Sequence, residues 1–97
     1  MQVLAAGINC TAPRLVTPLL AAAQTQAKKP IIAYPNSGET WEAATRSWRG
    51  RTDLAAEVTG YQMLAGKWFA AGAQAVGGCC RTGPEHIRAV AAAAVRQ

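Results

Sequence analysis

The strongest constraint on the fold is an alternation of short apolar runs with helix-like stretches, repeated three times at intervals of roughly 35 residues. Gln2–Ile8 is the first such run, and it stops at Asn9-Cys10. Its continuous apolarity fits a parallel strand covered on both faces. Thr11-Ala12-Pro13 then has the make-up of a helix start, with a capping hydroxyl and a proline in the first turn. Leu15, Leu19, Leu20, Ala23 and Ala27 follow at helical spacing. Lys28-Lys29 suit the negative end of the helix dipole, and Pro30 closes the segment.

Ile31–Tyr34 is the second strand, broken by the consecutive turn formers Pro35-Asn36-Ser37-Gly38. From Glu39 to about Asp53 the chain reads as polar and irregular, and it carries Trp41 and Trp48. A loop longer than roughly 12–15 residues inside a compact domain is usually a lid or binding loop. Anchoring that loop is the expected role of both tryptophans, ahead of a cation–π cover for a cationic ligand. Helical periodicity resumes with Tyr61, Leu64, Ala65, Trp68 and Phe69, of which Tyr61 and Trp68 read as core, and Gly72 is a natural stop.

The third strand, Gln74–Val76, runs into Gly77-Gly78-Cys79-Cys80. Successive strand residues face opposite sides, so the glycines are expected to supply the unusual dihedrals that bring both sulfurs together. Thr82 and Glu85 have capping-box spacing, and Ile87, Val90, Ala91, Ala94 and Val95 form the stripe of a last helix. His86 falls in the first turn of that helix and is expected on the surface or in a cap, not as a ligand.

This order predicts an α/β fold with a parallel sheet and right-handed crossovers. Cys10-Thr11-Ala12-Pro13 and Cys80-Arg81-Thr82-Gly83-Pro84 each place cysteine between a strand end and a proline-bearing helix start. Equivalent positions in two units lie at one edge of a parallel sheet, the edge where such folds bind substrates. Three thiolates on one Zn²⁺ would leave a tetrahedral position open, as catalytic sites do. One lone cysteine with a vicinal pair fits three buried thiols equally well, because cysteine is among the most buried residue types.

Composition narrows the partners. The 97 residues allow one small domain, and no apolar run approaches the ~20 residues of a membrane span. MQVLAAGINC is too short, and lacks the basic start, for a secretory signal, so a soluble cytoplasmic protein is expected. Clustered, odd-numbered cysteines in a reducing compartment are poor material for a disulfide framework. The net charge of +5 is scattered apart from Lys28-Lys29 and the segment Arg46–Arg51, which argues against a nucleic-acid surface.

Gly7-Ile8-Asn9-Cys10, Tyr34-Pro35-Asn36-Ser37-Gly38-Glu39 and Gly77-Gly78-Cys79-Cys80, followed by Thr82, Pro84, Glu85, His86 and Ile87, resemble the homocysteine S-methyltransferase family. The proline-asparagine-serine-glycine-glutamate element is similar to the bacterial and plant branch that uses S-methylmethionine or S-adenosylmethionine as donor. The resemblance implies a (β/α)₈ TIM barrel of which residues 1–97 would be the sixth to eighth units, an incomplete barrel from its C-terminal part. It implies Zn²⁺ on Cys10, Cys79 and Cys80, homocysteine and a sulfonium methyl donor as partners, and methionine as product. Asn9, Asn36, Ser37 and Glu39 would then contact substrate or support the metal ligands, where turn geometry alone is the plainer reading. Such barrels need about 250 residues. The chain alone is therefore expected to be unstable or inactive unless it is part of a longer protein or assembles with other chains, and the competing expectation is a non-catalytic truncated α/β fragment that binds zinc or oligomerises.

Overall fold

The computed structural model describes residues 4–26 and 28–95. Gln2 and Val3, assigned above to a strand, and Ala27, assigned to a helix, lie outside the described residues. The strands β1 (Ala6–Asn9), β2 (Ile31–Tyr34) and β5 (Ala73–Val76) form a parallel sheet in the order β1-β2-β5. Between them run a 3₁₀ turn (Pro13–Leu15), α1 (Val16–Gln26) and α2 (Leu54–Ala70); α3 (Pro84–Val95) follows β5. The α/β expectation therefore holds, with consecutive units adjacent in the sheet.

The segment 39–53 is not irregular. It folds into a hairpin of β3 (Thr40–Glu42) and β4 (Ser47–Arg49), antiparallel, with Trp41 opposite Trp48. The two indoles meet edge to face with centroids 5.5 Å apart, a cross-strand pair that holds the hairpin together. Short strands interrupted by charge carry almost no periodicity, so the pairing was invisible in the sequence.

One face of the parallel sheet is covered. Ile31 and Ala33 of β2 and Ala73 of β5 join Val16, Leu20, Tyr61, Ala65, Trp68, Val90 and Ala93 in a single core. The alternate residues on the other face are open: Gly7 and Asn9 are exposed, and so is Tyr34. This corrects the reading of the first strand as covered on both faces. The helix stripes also sit differently from the expectation. In α1 the buried residues are Val16 and Leu20, while Leu19 is 42% exposed and Leu15, in the 3₁₀ turn before it, 41%. In α3 they are His86, Ala89, Val90 and Ala93, while Ile87 and Val95 face out. Alanine on every side of these helices leaves little contrast to fix the phase.

Local signals mark the helix ends. Asp53 caps α2, its side chain accepting from the Ala55 N–H at 3.0 Å. Gly72, at φ +113°, ends that helix as expected. Thr11 and Thr82 do not cap: their hydroxyls donate to the Asn9 and Cys79 carbonyls at 2.8 and 2.7 Å. No described helix is long and apolar enough to cross a membrane.

Candidate metal centre

Cys10 is the first residue beyond β1, and it takes a left-handed backbone, φ 49°. For a side-chain-bearing residue that conformation is costly and is kept only where surrounding contacts enforce it. Its N–H donates to the Tyr34 carbonyl at 3.3 Å, and the Asn36 N–H donates to the Thr11 carbonyl at 2.9 Å. These two bonds tie the β1 exit to the β2 exit.

The turn after β2 holds the second cysteine segment. The Cys79 N–H donates to the Pro35 carbonyl at 2.9 Å, and the Ser37 N–H to the Cys80 carbonyl at 3.1 Å. The Cys80 N–H donates to Asn36 Oδ1 at 3.1 Å. Asn36 and Ser37 thus shape the loop that carries both cysteines. Of the two glycines before it, Gly78 acts through space and neither acts through a left-handed backbone, which corrects the expectation. Neither has a positive φ; a Cβ on Gly78 would stand 2.8 Å from Thr82 Cβ. The left-handed residues here are Cys10 and Arg81.

The result is a convergence of sulfurs from two strands. Cys80 Sγ lies 3.9 Å from Cys10 Sγ and 4.0 Å from Cys79 Sγ. The sulfurs of Cys10 and Cys79 are in direct contact as a disulfide pair, with Cα atoms 5.5 Å apart. All three sulfurs fall within 4.8 Å of one another, a cluster able to hold a metal ion. Zinc–sulfur bonds of about 2.3 Å in a tetrahedron put neighbouring sulfurs about 3.8 Å apart. The two Cys80 separations match that edge, and ligation by all three would need the Cys10–Cys79 pair reduced to thiolates.

Asn9 is exposed beside Cys10, and its side chain makes no hydrogen bond among the described residues. Ser37 is buried and bonds Glu39 twice: its hydroxyl donates to Oε1 at 3.3 Å and accepts from the Glu39 N–H at 3.2 Å. Glu39 Oε1 also meets Arg51 at 3.1 Å and Arg81 at 3.2 Å.

Sequence reasoning missed the ion network behind this loop. Arg51 forks onto Glu57, Nε to Oε1 at 3.0 Å and an Nη to Oε2 at 2.7 Å. His86 is 1% exposed, not on the surface; Nδ1 accepts the Gly83 N–H at 3.0 Å, which leaves Nε2 to donate to Glu57 Oε2 at 2.6 Å. The capping half of the expectation for His86 holds. The one available signal was an arginine six residues before a glutamate at a helix start.

Burial pushes the Glu57 carboxyl up, but the hydrogen bonds from Arg51 and His86 and their charges outweigh it and hold it below its ordinary 4.5. The same pairing raises Arg51, and burial raises Tyr61, whose hydroxyl lies 3.0 and 3.1 Å from the Pro35 and Gly77 carbonyls. A carboxyl lowered by folding binds a proton more readily in the unfolded chain. Its contribution to stability is therefore present above pH 4.5 and lost as pH falls through its lower folded value. Thermal melts from pH 7 to 3 should show wild type losing stability more steeply than Glu57→Gln at the acid end. Parallel curves would contradict this.

The sequence model of the homocysteine S-methyltransferase family matches residues 1–94. The chain belongs to this family. It is 45% identical over 89 residues to homocysteine S-methyltransferase 4 of Zea mays, covering 92% of this chain and 26% of that protein. It is 43% identical over 91 residues to homocysteine S-methyltransferase YbgG of Bacillus subtilis (strain 168), covering 94% and 28%. The selenocysteine methyltransferase of Astragalus bisulcatus is 42% identical over 89 residues, with 92% and 26% covered. The homocysteine methyltransferase MmuM of Escherichia coli superposes in its oxidized form with a TM-score of 0.64 and 36% identity, covering 94% of this chain and 25% of that one. Its metallated form gives 0.62 and 35%, covering 94% and 24%. The chain spans about a quarter of the length of the relatives it matches.

Proposed function

We propose that this chain is the metal-holding part of a homocysteine S-methyltransferase, with Cys10, Cys79 and Cys80 as ligands of one zinc ion, and that by itself it turns nothing over. The observation that carries the reading is the meeting of three sulfurs from two strands within 4.8 Å. Soft thiolates in tetrahedral array suit zinc, and three protein ligands leave one position open.

Catalysis belongs to a larger barrel in which these units are the C-terminal ones, resembling the sixth to eighth. The bare sheet face supports this, as do the unpaired outer sides of β1 and β5 among the described residues. So do the apolar side chains at both flanks, Leu4, Leu15 and Leu19 on one and Ile87 and Val95 on the other. In that barrel a methyl group passes from S-methylmethionine or S-adenosylmethionine to homocysteine, giving methionine. Zinc, when bound, favours the thiolate form of a thiol brought to its open position. Asn36 and Ser37 hold the loop that carries two of the ligands, and Glu39 anchors the arginines behind it. Asn9, free and exposed beside Cys10, contacts substrate. The determinants of homocysteine's amine and carboxylate, which complete the alignment of reactants, lie in the other units.

Zinc analysis of the purified, reduced chain, paired with a methionine-formation assay using homocysteine and either donor, tests both halves. One zinc per chain and no methionine is expected. A folded chain without zinc removes the metal reading, and methionine made by this chain alone removes the non-catalytic one.

A further inference from the structure

We propose that Arg51 is a positioning residue for the cysteine centre, acting through the backbone of the loop that carries Cys79 and Cys80. The inference rests on the metal reading above and adds a residue just beyond the hairpin, 28 positions before Cys79. Arg51 follows Gly50, whose φ of +108° turns the chain out of β4. Its guanidinium donates to the Glu57 carboxylate and to the Arg81 carbonyl, the latter at 2.9 Å, and it pairs by charge with Glu39 Oε1 at 3.1 Å.

The last of these bonds matters most. Arg81 is the residue after Cys80 and stands in the left-handed region, φ 65°, a conformation that needs support in a residue with a side chain. On the near side the cysteine loop is held by the turn after β2, through Pro35, Asn36 and Ser37. On the far side Arg51 holds the Arg81 carbonyl, and Glu39 holds the Arg81 side chain at 3.2 Å. Glu57 fixes Arg51 in turn, with the fork of bonds that suits a carboxylate, and the buried His86 fixes Glu57. The network therefore links the start of α2 and the start of α3 to the loop between them.

Metal affinity is sensitive to groups that orient ligands without touching the ion; losing one typically costs about 10–100-fold. Glu57 and Glu39 would keep each other's company poorly without the arginine between them, so its loss frees the far side of the loop. Lysine at this position keeps a charge but offers no planar fork, and cannot reproduce the two-pronged bond to Glu57 together with the bond to the Arg81 carbonyl.

The experiment compares wild type, Arg51→Lys, Arg51→Met and Arg49→Met as reduced full chains. Zinc affinity is read by chelator competition, and the thiolate-to-metal absorption by titration with Co²⁺. Arg49 pairs with Glu42 at 2.9 Å on the exposed hairpin surface, so Arg49→Met removes a hairpin ion pair away from the loop. Arg51→Met should weaken zinc about 10–100-fold and lower the thiolate–cobalt absorption at saturation. Arg51→Lys should weaken zinc while melting close to wild type, which separates positioning from loss of fold. Arg49→Met should match wild type in both readouts. If Arg51→Lys and Arg51→Met bind zinc as wild type does, this inference is overturned and the metal reading stands. A folded wild type that binds neither Zn²⁺ nor Co²⁺ overturns both.

Discussion

Serine in place of any one of Cys10, Cys79 and Cys80 is expected to strip zinc from the reduced protein while leaving the fold in place. Full structural zinc sites of four ligands bind with about 10–16 kcal/mol, so one thiolate is worth about 3 kcal/mol and its loss about 100-fold in affinity or more. Serine keeps the size of the side chain but is a poor zinc ligand near neutral pH. The fold should tolerate it, because Cys80 is exposed and none of the three belongs to the buried core. Zinc content after dialysis against a weak chelator is the measurement, with a thermal melt alongside. Retention of zinc in Cys10→Ser would be the most damaging result. It would mean that the lone cysteine is not part of the centre, and the vicinal pair by itself is an ordinary turn.

The second large effect lies in the core. Trp68→Ala should remove most of the stability of the chain. Trp68 is fully buried and stands edge to face with Tyr61 at 5.3 Å, and Tyr61 stands likewise against His86 at 5.1 Å. Truncating a buried tryptophan costs about 3–5 kcal/mol. A domain of this size has about 5–15 kcal/mol in all, and a three-stranded sheet with one bare face belongs at the low end. Urea unfolding should show a midpoint shifted toward zero, or no cooperative transition. Trp68→Phe is the informative partner. The indole Nε1 has no hydrogen-bond partner among the described residues, so phenylalanine loses area but no bond and should fall between wild type and alanine. A loss under about 1 kcal/mol for alanine would mean that α2 is not the centre of the core.

These two predictions differ in how early they can be made. The meeting of the three cysteines was legible because Cys10 and Cys80 occupy the same place in two strand-helix units, and a parallel sheet puts such places on one edge. Tyr61 and Trp68 were legible as core because they sit at helical spacing among apolar neighbours. The phases of α1 and α3 were not: with alanine on most faces, Leu15 and Ile87 looked as buried as Leu20 and Val90. His86 looked exposed because its partner, Glu57, is 29 residues away.

The succession of the three parallel strands and the helices, and the two cysteine-bearing strand ends, follow from the chain itself, because periodicity and turn chemistry act over a few residues and are written locally. The tertiary structure alone decided which atoms support the sulfurs. The turn after β2 holds the cysteine loop through backbone groups, which every residue type supplies and no sequence pattern announces. Arg51, Glu57, His86 and Arg81 meet only after the hairpin and two helix starts have been packed together. Pairings made between distant segments have no period, so they become visible only when the chain is folded.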